Sequence, residues 1–231
     1  MQSLIDYQLA DSVAMISMDD GKVNALSLRM INEINQALDR AQDNAAVIVL
    51  AGRAGVFSAG FDLPVLRAGG PAATTMLRAG FDLAERLLSY SRPTVIACTG
   101  HAVAMGAFLL LAGDYRVGTA GPYKITANEV AIGLTMPMAA VEIARQRLTP
   151  AHLDRALLLA EVFGPDDSVL AGFLDRVVPA TELADAVRGI AAEFTKLNMH
   201  AHAASKLRAR ADLLKALEAS IDADSAAFGA Q

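Results

Sequence analysis

Phe57-Ser58-Ala59-Gly60-Phe61-Asp62 follows the β-branched run Val47-Ile48-Val49-Leu50 and the small-residue turn Ala51-Gly52-Arg53-Ala54-Gly55. A turn of such small residues leaves backbone N–H groups facing open space. Ala59 and Gly60 have no bulk to block an approaching ligand. Asp62 stands where a helix N-cap is expected. Exposed N–H groups in a rigid turn suit the stabilisation of a developing oxyanion. Taken alone, the six residues also read as a plain strand-to-helix connection and nothing more.

Outward from this stretch, strand-like runs recur at 13–18, 47–50, 94–98, 115–117 and 176–178, with helical patterns between them. Met30, Ile31, Ile34, Ala37 and Leu38 repeat near every 3.6 residues behind an N-cap at Ser27. Residues 76–88, 137–147, 150–159 and 184–196 read as further helices, and the chain from His200 onward is helical in composition. Alternation of this kind predicts an α/β fold. Gly69-Gly70-Pro71 reads as a loop, the natural place for a mobile flap.

The chain has 231 residues, enough for one sizeable domain, with 54% hydrophobic and only 5% aromatic residues. Its core is therefore filled by Ala, Val, Leu and Met. A formal net charge of −5 without a dense basic stripe argues against nucleic acid as a partner. Cys98 is the single cysteine, which excludes an intrachain disulfide, and its place in a buried-looking strand makes it an inert core thiol. Residues 1–12 hold Asp6 and Asp11 and no long apolar run, so no signal peptide is read there and a cytoplasmic location is the default expectation. Thr94 to Gly113 lacks Asp, Glu, Lys and Arg, but Thr99, Gly100 and His101 interrupt it. A buried strand, a turn and a buried helix explain it better than a membrane span.

A second small-residue turn, Thr99 to Ala107, leads from strand 94–98 into the apolar helix 108–112. Two such turns can aim two N–H donors at one oxygen. Asn128-Glu129-Val130-Ala131-Ile132-Gly133 then places Glu129 beside an apolar stretch reaching Met138. A carboxylate in apolar surroundings can serve as a base near neutral pH, although a lone Glu beside such a run is commonly a surface or capping residue. His101 and Asp62 read as structural groups, Asp114 as a partner for buried backbone at a strand start, and Glu142 with Arg145 as a pair along one helix. His200 and His202 lack acidic partners, so no metal site is expected.

Together these pieces resemble the enoyl-CoA hydratase/isomerase superfamily, the crotonases. Phe57 to Leu63 matches its first oxyanion motif, Gly100 to Gly106 falls at the second, and Asp114 to Val117 matches the following strand. Asn128 to Gly133 matches the segment with a catalytic glutamate. Lys22-Val23-Asn24-Ala25-Leu26 resembles the first coenzyme-A loop, and Phe173 to Pro179 a late family element. The resemblance covers about residues 5–180. It implies a crotonase-like spiral of β-β-α turns over residues 1–190, with a shortened C-terminal helical trimerisation region at 191–231. It implies an acyl-CoA substrate, coenzyme A being part of that substrate rather than a cofactor, and a homotrimer or dimer of trimers.

By position, the resemblance assigns the oxyanion donors to the N–H groups of Ala59 and Met105, with Met105 replacing the usual glycine, and the acid–base role to Glu129. It assigns Lys22, Val23, Ala25, Ala59, Gly60, Phe61, Asp62, Leu63, Phe108 and Met136 to substrate and coenzyme-A binding. The pocket wall is expected to include Phe61, Leu66, Met76, Phe108, Met136 and Met138. Lys206, Arg208 and Arg210 are the nearest cations for a 3′-phosphate, or else a solvated helix face. Hydratases of the family use two glutamates, and the second position is here Phe108. A single base suffices for Δ3→Δ2 double-bond migration, so the resemblance points nearest to the enoyl-CoA isomerase branch. Hydration, thioester hydrolysis, decarboxylation and non-catalytic acyl-CoA binding stand as alternatives.

Overall fold

The computed structural model describes residues 3–229. Its strands are β1 (Ile5–Ala10), β2 (Val13–Met18), β3 (Val47–Ala51), β4 (Gly55–Ser58), β5 (Thr94–Cys98), β6 (Gly100–Val103), β7 (Tyr115–Thr119), β8 (Ile125–Thr126) and β9 (Arg176–Val178). Its helices are α1 (Leu28–Asp43), α2 (Leu63–Ala68), α3 (Gly70–Ser89), α4 (Met105–Leu111), α5 (Met138–Arg145), α6 (Pro150–Leu157), α7 (Pro165–Ala171), α8 (Leu183–Phe194), α9 (Met199–Ala209) and α10 (Ala211–Gly229).

The strands form a six-stranded sheet in the order β1-β2-β3-β5-β7-β9 and a three-stranded sheet in the order β4-β6-β8. Only β1–β2 is antiparallel. The chain therefore winds three times through the same path: β3, β4, then α2; β5, β6, then α4; β7, β8, then α5. This is the expected α/β spiral of β-β-α turns.

Successive residues of a strand face opposite sides, and a parallel strand covered on both faces reads as an unbroken apolar run. In β3, Ile48 and Leu50 enter the main core beneath α1 and α3, while Val47 and Val49 face the second core with α8. In β5, Ile96 and Cys98 go to the first and Val95 and Ala97 to the second. Burial pushes the Cys98 thiol up to about 12, which fits an inert core group. Ser27 caps α1 by accepting from the Met30 N–H (3.2 Å).

Three elements differ from the sequence reading. Gly69-Gly70-Pro71 is not a loop: α2 ends at Ala68 and α3 begins at Gly70. Gly69 and Gly70 take φ of +66° and +69°, so the break is one tight bend rather than a flap. The stretch after Cys98 contains strand β6, and α4 starts at Met105 rather than Phe108. Four-residue strands such as β6 lack the length that makes a period visible. The boundary placed between residues 190 and 191 falls inside α8. Among the described residues, no helix is long and apolar enough to cross a membrane.

Candidate active site

The first turn is held mainly by the neighbouring loop after β2. Asp20 braces the loop after β2, its carboxylate accepting from the N–H groups of Lys22 (2.7 Å), Asn24 (2.9 Å) and Ala25 (3.0 Å). Burial pulls the Asp20 carboxyl up, but these bonds outweigh it and hold it below the ordinary value. The buried Asn24 amide donates to the carbonyls of Met18 (3.0 Å) and Phe57 (3.1 Å). Ser58 Oγ donates to the Asn24 carbonyl (2.8 Å) and accepts from Gly60 N–H (3.1 Å). Lys22, Val23 and Ala25 are thus tied to the Phe57–Asp62 turn.

That stitching corrects one assignment. The Ala59 N–H donates to the Val23 carbonyl at 3.0 Å, so it is already engaged. The Leu26 N–H donates to the Gly60 carbonyl (2.8 Å), and this register leaves the Phe61 N–H without an acceptor among the described residues. The free donor of the first turn is therefore Phe61. No local pattern of residue types encodes how loop 23–26 lies against 59–61, which is why the sequence placed it two residues early.

The second turn delivers Met105 as the first residue of α4, and its N–H likewise has no acceptor among the described residues. Ala104 before it holds φ +52° and ψ −128°, a conformation that side chains rarely adopt, at a cost of roughly 1–3 kcal/mol. The two turns touch. A Cβ on Gly60, where φ is +87°, would lie 2.9 Å from Ala104 Cβ and 3.2 Å from Met105 N. Glycine is what lets the two donors approach.

Both turns wall a cavity of about 310 Å³. Ala59, Phe61, Leu63, Leu66, Leu77, Phe81, Ala104, Met105 and Phe108 line it from one side. Asn128, Glu129, Ile132, Gly133, Leu134, Thr135 and Pro137 line it from another, with Phe228. The Phe61 ring lies edge-on to Phe81 at 6.1 Å and occupies the space a side chain at Gly80 would fill. The wall corrects three expectations: Met76 is buried in the core, Met136 packs against the core while Thr135 and Pro137 face the cavity, and Met138 is 49% exposed. Lys22, Val23, Ala25, Gly60 and Asp62 frame the turns without lining the cavity. Asp62 caps α2, accepting from the Val65 N–H at 3.4 Å.

Glu129 is the only ionisable residue among those lining the cavity. It is 8% exposed, and its Oε2 has no hydrogen-bond partner. Burial raises its pKa to about 7, only partly countered by a bond from its own backbone N–H. A carboxyl poised there is half ionised at neutral pH and can both take and return a proton. Phe108, buried and apolar, lines the same cavity.

The remaining polar candidates lie elsewhere. His101 Nδ1 accepts from the Lys124 N–H (3.0 Å), and its ring meets Tyr123 edge-on. Lys206 and Arg210, read as the nearest cations for a phosphate or else as a solvated helix face, turn inward onto Asp114 at 2.8 and 2.9 Å. Arg208 is exposed. Glu142 and Arg145 form a surface pair at 2.8 Å. Phe228 and Asn128 are cavity residues that the sequence reading did not place there. For Asn128, adjacency to Glu129 was the available signal.

Two touching turns with unengaged N–H groups and one carboxyl thus wall a single apolar cavity, carried on a spiral of β-β-α turns. The enoyl-CoA hydratase/isomerase family model matches residues 8–231, and the chain belongs to that family. It therefore carries out acyl-CoA thioester chemistry. It is similar to the probable enoyl-CoA hydratase echA17 of Mycobacterium avium, 31% identical over 84% of this chain and 76% of that protein. The structure matches that of a Mycobacterium tuberculosis protein with a TM-score of 0.95 at 49% identity, covering 99% of this chain and 100% of the other. That protein is described in one structure as an enoyl-CoA isomerase and in another as a probable enoyl-CoA hydratase. Human mitochondrial Δ3-Δ2-enoyl-CoA isomerase superposes with a TM-score of 0.92 at 27% identity, covering 98% of this chain and 91% of that one.

Proposed function

We propose that this protein is a Δ3→Δ2 enoyl-CoA isomerase in which Glu129 carries the proton. The observation that carries the reading is the single ionisable side chain of the cavity, with Phe108 where a second carboxylate would be needed. The thioester oxygen accepts from the Phe61 and Met105 N–H groups. Glu129 takes a proton from C2, and the electrons of that C–H bond form the C1–C2 double bond of a dienolate whose charge rests on that oxygen while the C3–C4 double bond stays in place. Glu129 then returns the proton to C4 as the dienolate collapses to the conjugated product. Each oxyanion donor is worth roughly 2.7–4 kcal/mol in such a transition state. Phe108 keeps water from the intermediate. Conversion of a 3-enoyl-CoA by wild type and by Glu129→Gln tests the assignment; equal rates would end it.

A second reading, hydration, is favoured by one observation. Asn128 Oδ1, like Glu129 Oε2, is buried without a partner, and both residues line the cavity. Two such acceptors can hold one water as a nucleophile. Accumulation of 3-hydroxyacyl-CoA from a 2-enoyl-CoA is the outcome that selects it. We further propose assembly as a homotrimer or dimer of trimers, which sedimentation of the purified protein measures; the exposed apolar residues Ile132, Leu158, Leu159 and Leu170 supply surface for it.

A further inference from the structure

The cavity has two kinds of wall. The groups that would meet the thioester come from the connections β4–α2, β6–α4 and β8–α5. The helices supply the apolar remainder, from Leu66 of α2, Leu77 and Phe81 of α3, Phe108 of α4 and Phe228 of α10. That second wall is what is left for the acyl chain.

Phe228 stands apart within it. The other helices of the wall belong to the first two β-β-α turns, whereas α10 comes from outside the spiral and is fastened by its own contacts. Leu217 and Ile221 are buried in the main core. Asp222 pairs with Arg78 of α3 at 2.8 Å. Asp224 accepts from the Met138 (3.0 Å) and Ala139 (2.9 Å) N–H groups, which caps α5 where its own N-cap residue, Pro137, offers no side-chain bond. The stretch of α10 just before Phe228 is thereby pinned to α3, which lines the cavity, and to the start of α5, next to the cavity residue Pro137. Phe228 packs against the core yet presents part of its ring to the cavity. At about 310 Å³ the cavity lies at the low end of the roughly 300–1,000 Å³ typical of ligand sites, so trimming one phenyl ring from its wall enlarges it by a sizeable fraction.

We propose that Phe228 sets the upper limit of acyl-chain length, making the substrates enoyl-CoA thioesters with short acyl chains; this rests on the acyl-CoA reading of the site given above. The cis placement of α10, with Asp222 and Asp224 as its fastenings, makes the limit a built feature of the fold.

The test is a chain-length profile on straight 3-enoyl-CoA substrates from hexenoyl to tetradecenoyl. Binding of the matching saturated acyl-CoAs by calorimetry accompanies it. For wild type, kcat/KM falls by roughly tenfold or more for each methylene past the limit. Phe228→Ala raises the long-to-short ratio of kcat/KM at least roughly tenfold, Phe228→Leu raises it less, and Phe228→Trp lowers it. If Phe228→Ala does not fold, the Leu and Trp variants carry the comparison. Ratios unchanged in variants that keep the wild-type melting transition overturn the proposal and leave the isomerase reading standing. Wild type that neither binds nor converts any acyl-CoA of the series overturns both.

Discussion

Asp114 and Glu129 are both carboxylates set largely inside the protein, and their surroundings could hardly differ more. Asp114 Oδ2 accepts from the Thr94 N–H (2.8 Å), the Thr94 hydroxyl (3.1 Å) and Lys206 Nζ (2.8 Å), while Arg210 reaches Oδ1 at 2.9 Å. Burial pulls its pKa up, but the two cations and the Thr94 bonds outweigh that and hold it below 3.8. Glu129 has burial without partners and is pushed up to about 7. A satisfied buried charge fixes structure, here docking α9 to the start of β5. An unsatisfied one stores reactivity, because its proton is exchangeable at neutral pH.

Removing each carboxyl breaks the comparison in opposite directions. Glu129→Gln keeps the shape and loses the proton carrier, so isomerisation falls by roughly 10²–10⁴-fold in kcat with the fold intact, as steady-state kinetics and circular dichroism will read. Asp114→Ala leaves Lys206 and Arg210 facing each other without an anion and costs about 3–5 kcal/mol of stability in denaturant titration. In the wild type the contribution of Asp114 is present above pH 3.8 and is lost as acid protonates it.

The pH dependence sharpens the contrast. The neutral Glu129 carboxyl is the form the cavity favours, so its contribution is complete below 4.5 and is lost as pH rises through about 7. That gap corresponds to about 3 kcal/mol. Glu129→Gln is therefore expected to be more stable than wild type at pH 8 by up to that amount, and equal to it near pH 4. Denaturant titrations at the two pH values check this. Activity moves the other way, with kcat/KM rising to a plateau above a pH near 7.

How much of this contrast was legible in the sequence differs between its two members. Glu129 was visible because an acidic residue beside an apolar run stands out, and the resemblance supplied its role. Strands β3 and β5 were legible for a similar reason, since burial on both faces leaves an unbroken apolar signature. Asp114 was read as a backbone partner, which Thr94 bears out, but its cations could not be found: Lys206 lies 92 residues away, and helical spacing alone does not say which face turns inward. The free N–H of the first turn was missed for the same reason, because the register of the Val23–Leu26 loop against the Ala59–Phe61 turn is a tertiary fact.

Asp224 gives the mildest test of the comparison. It is a third carboxylate with partners, but it caps the exposed start of α5 rather than a buried network. Asp224→Ala should cost about 1 kcal/mol, well below the Asp114 variant, in the same denaturant titration.

The central claim is that one carboxyl moves one proton and no water is added. The direct measurement is conversion of a 3-enoyl-CoA in oxygen-labelled deuterated water, followed by NMR and mass spectrometry. The account predicts a 2-enoyl-CoA with deuterium at C4 or C2 and no labelled oxygen. A 3-hydroxyacyl-CoA carrying the oxygen label as the main product would contradict it.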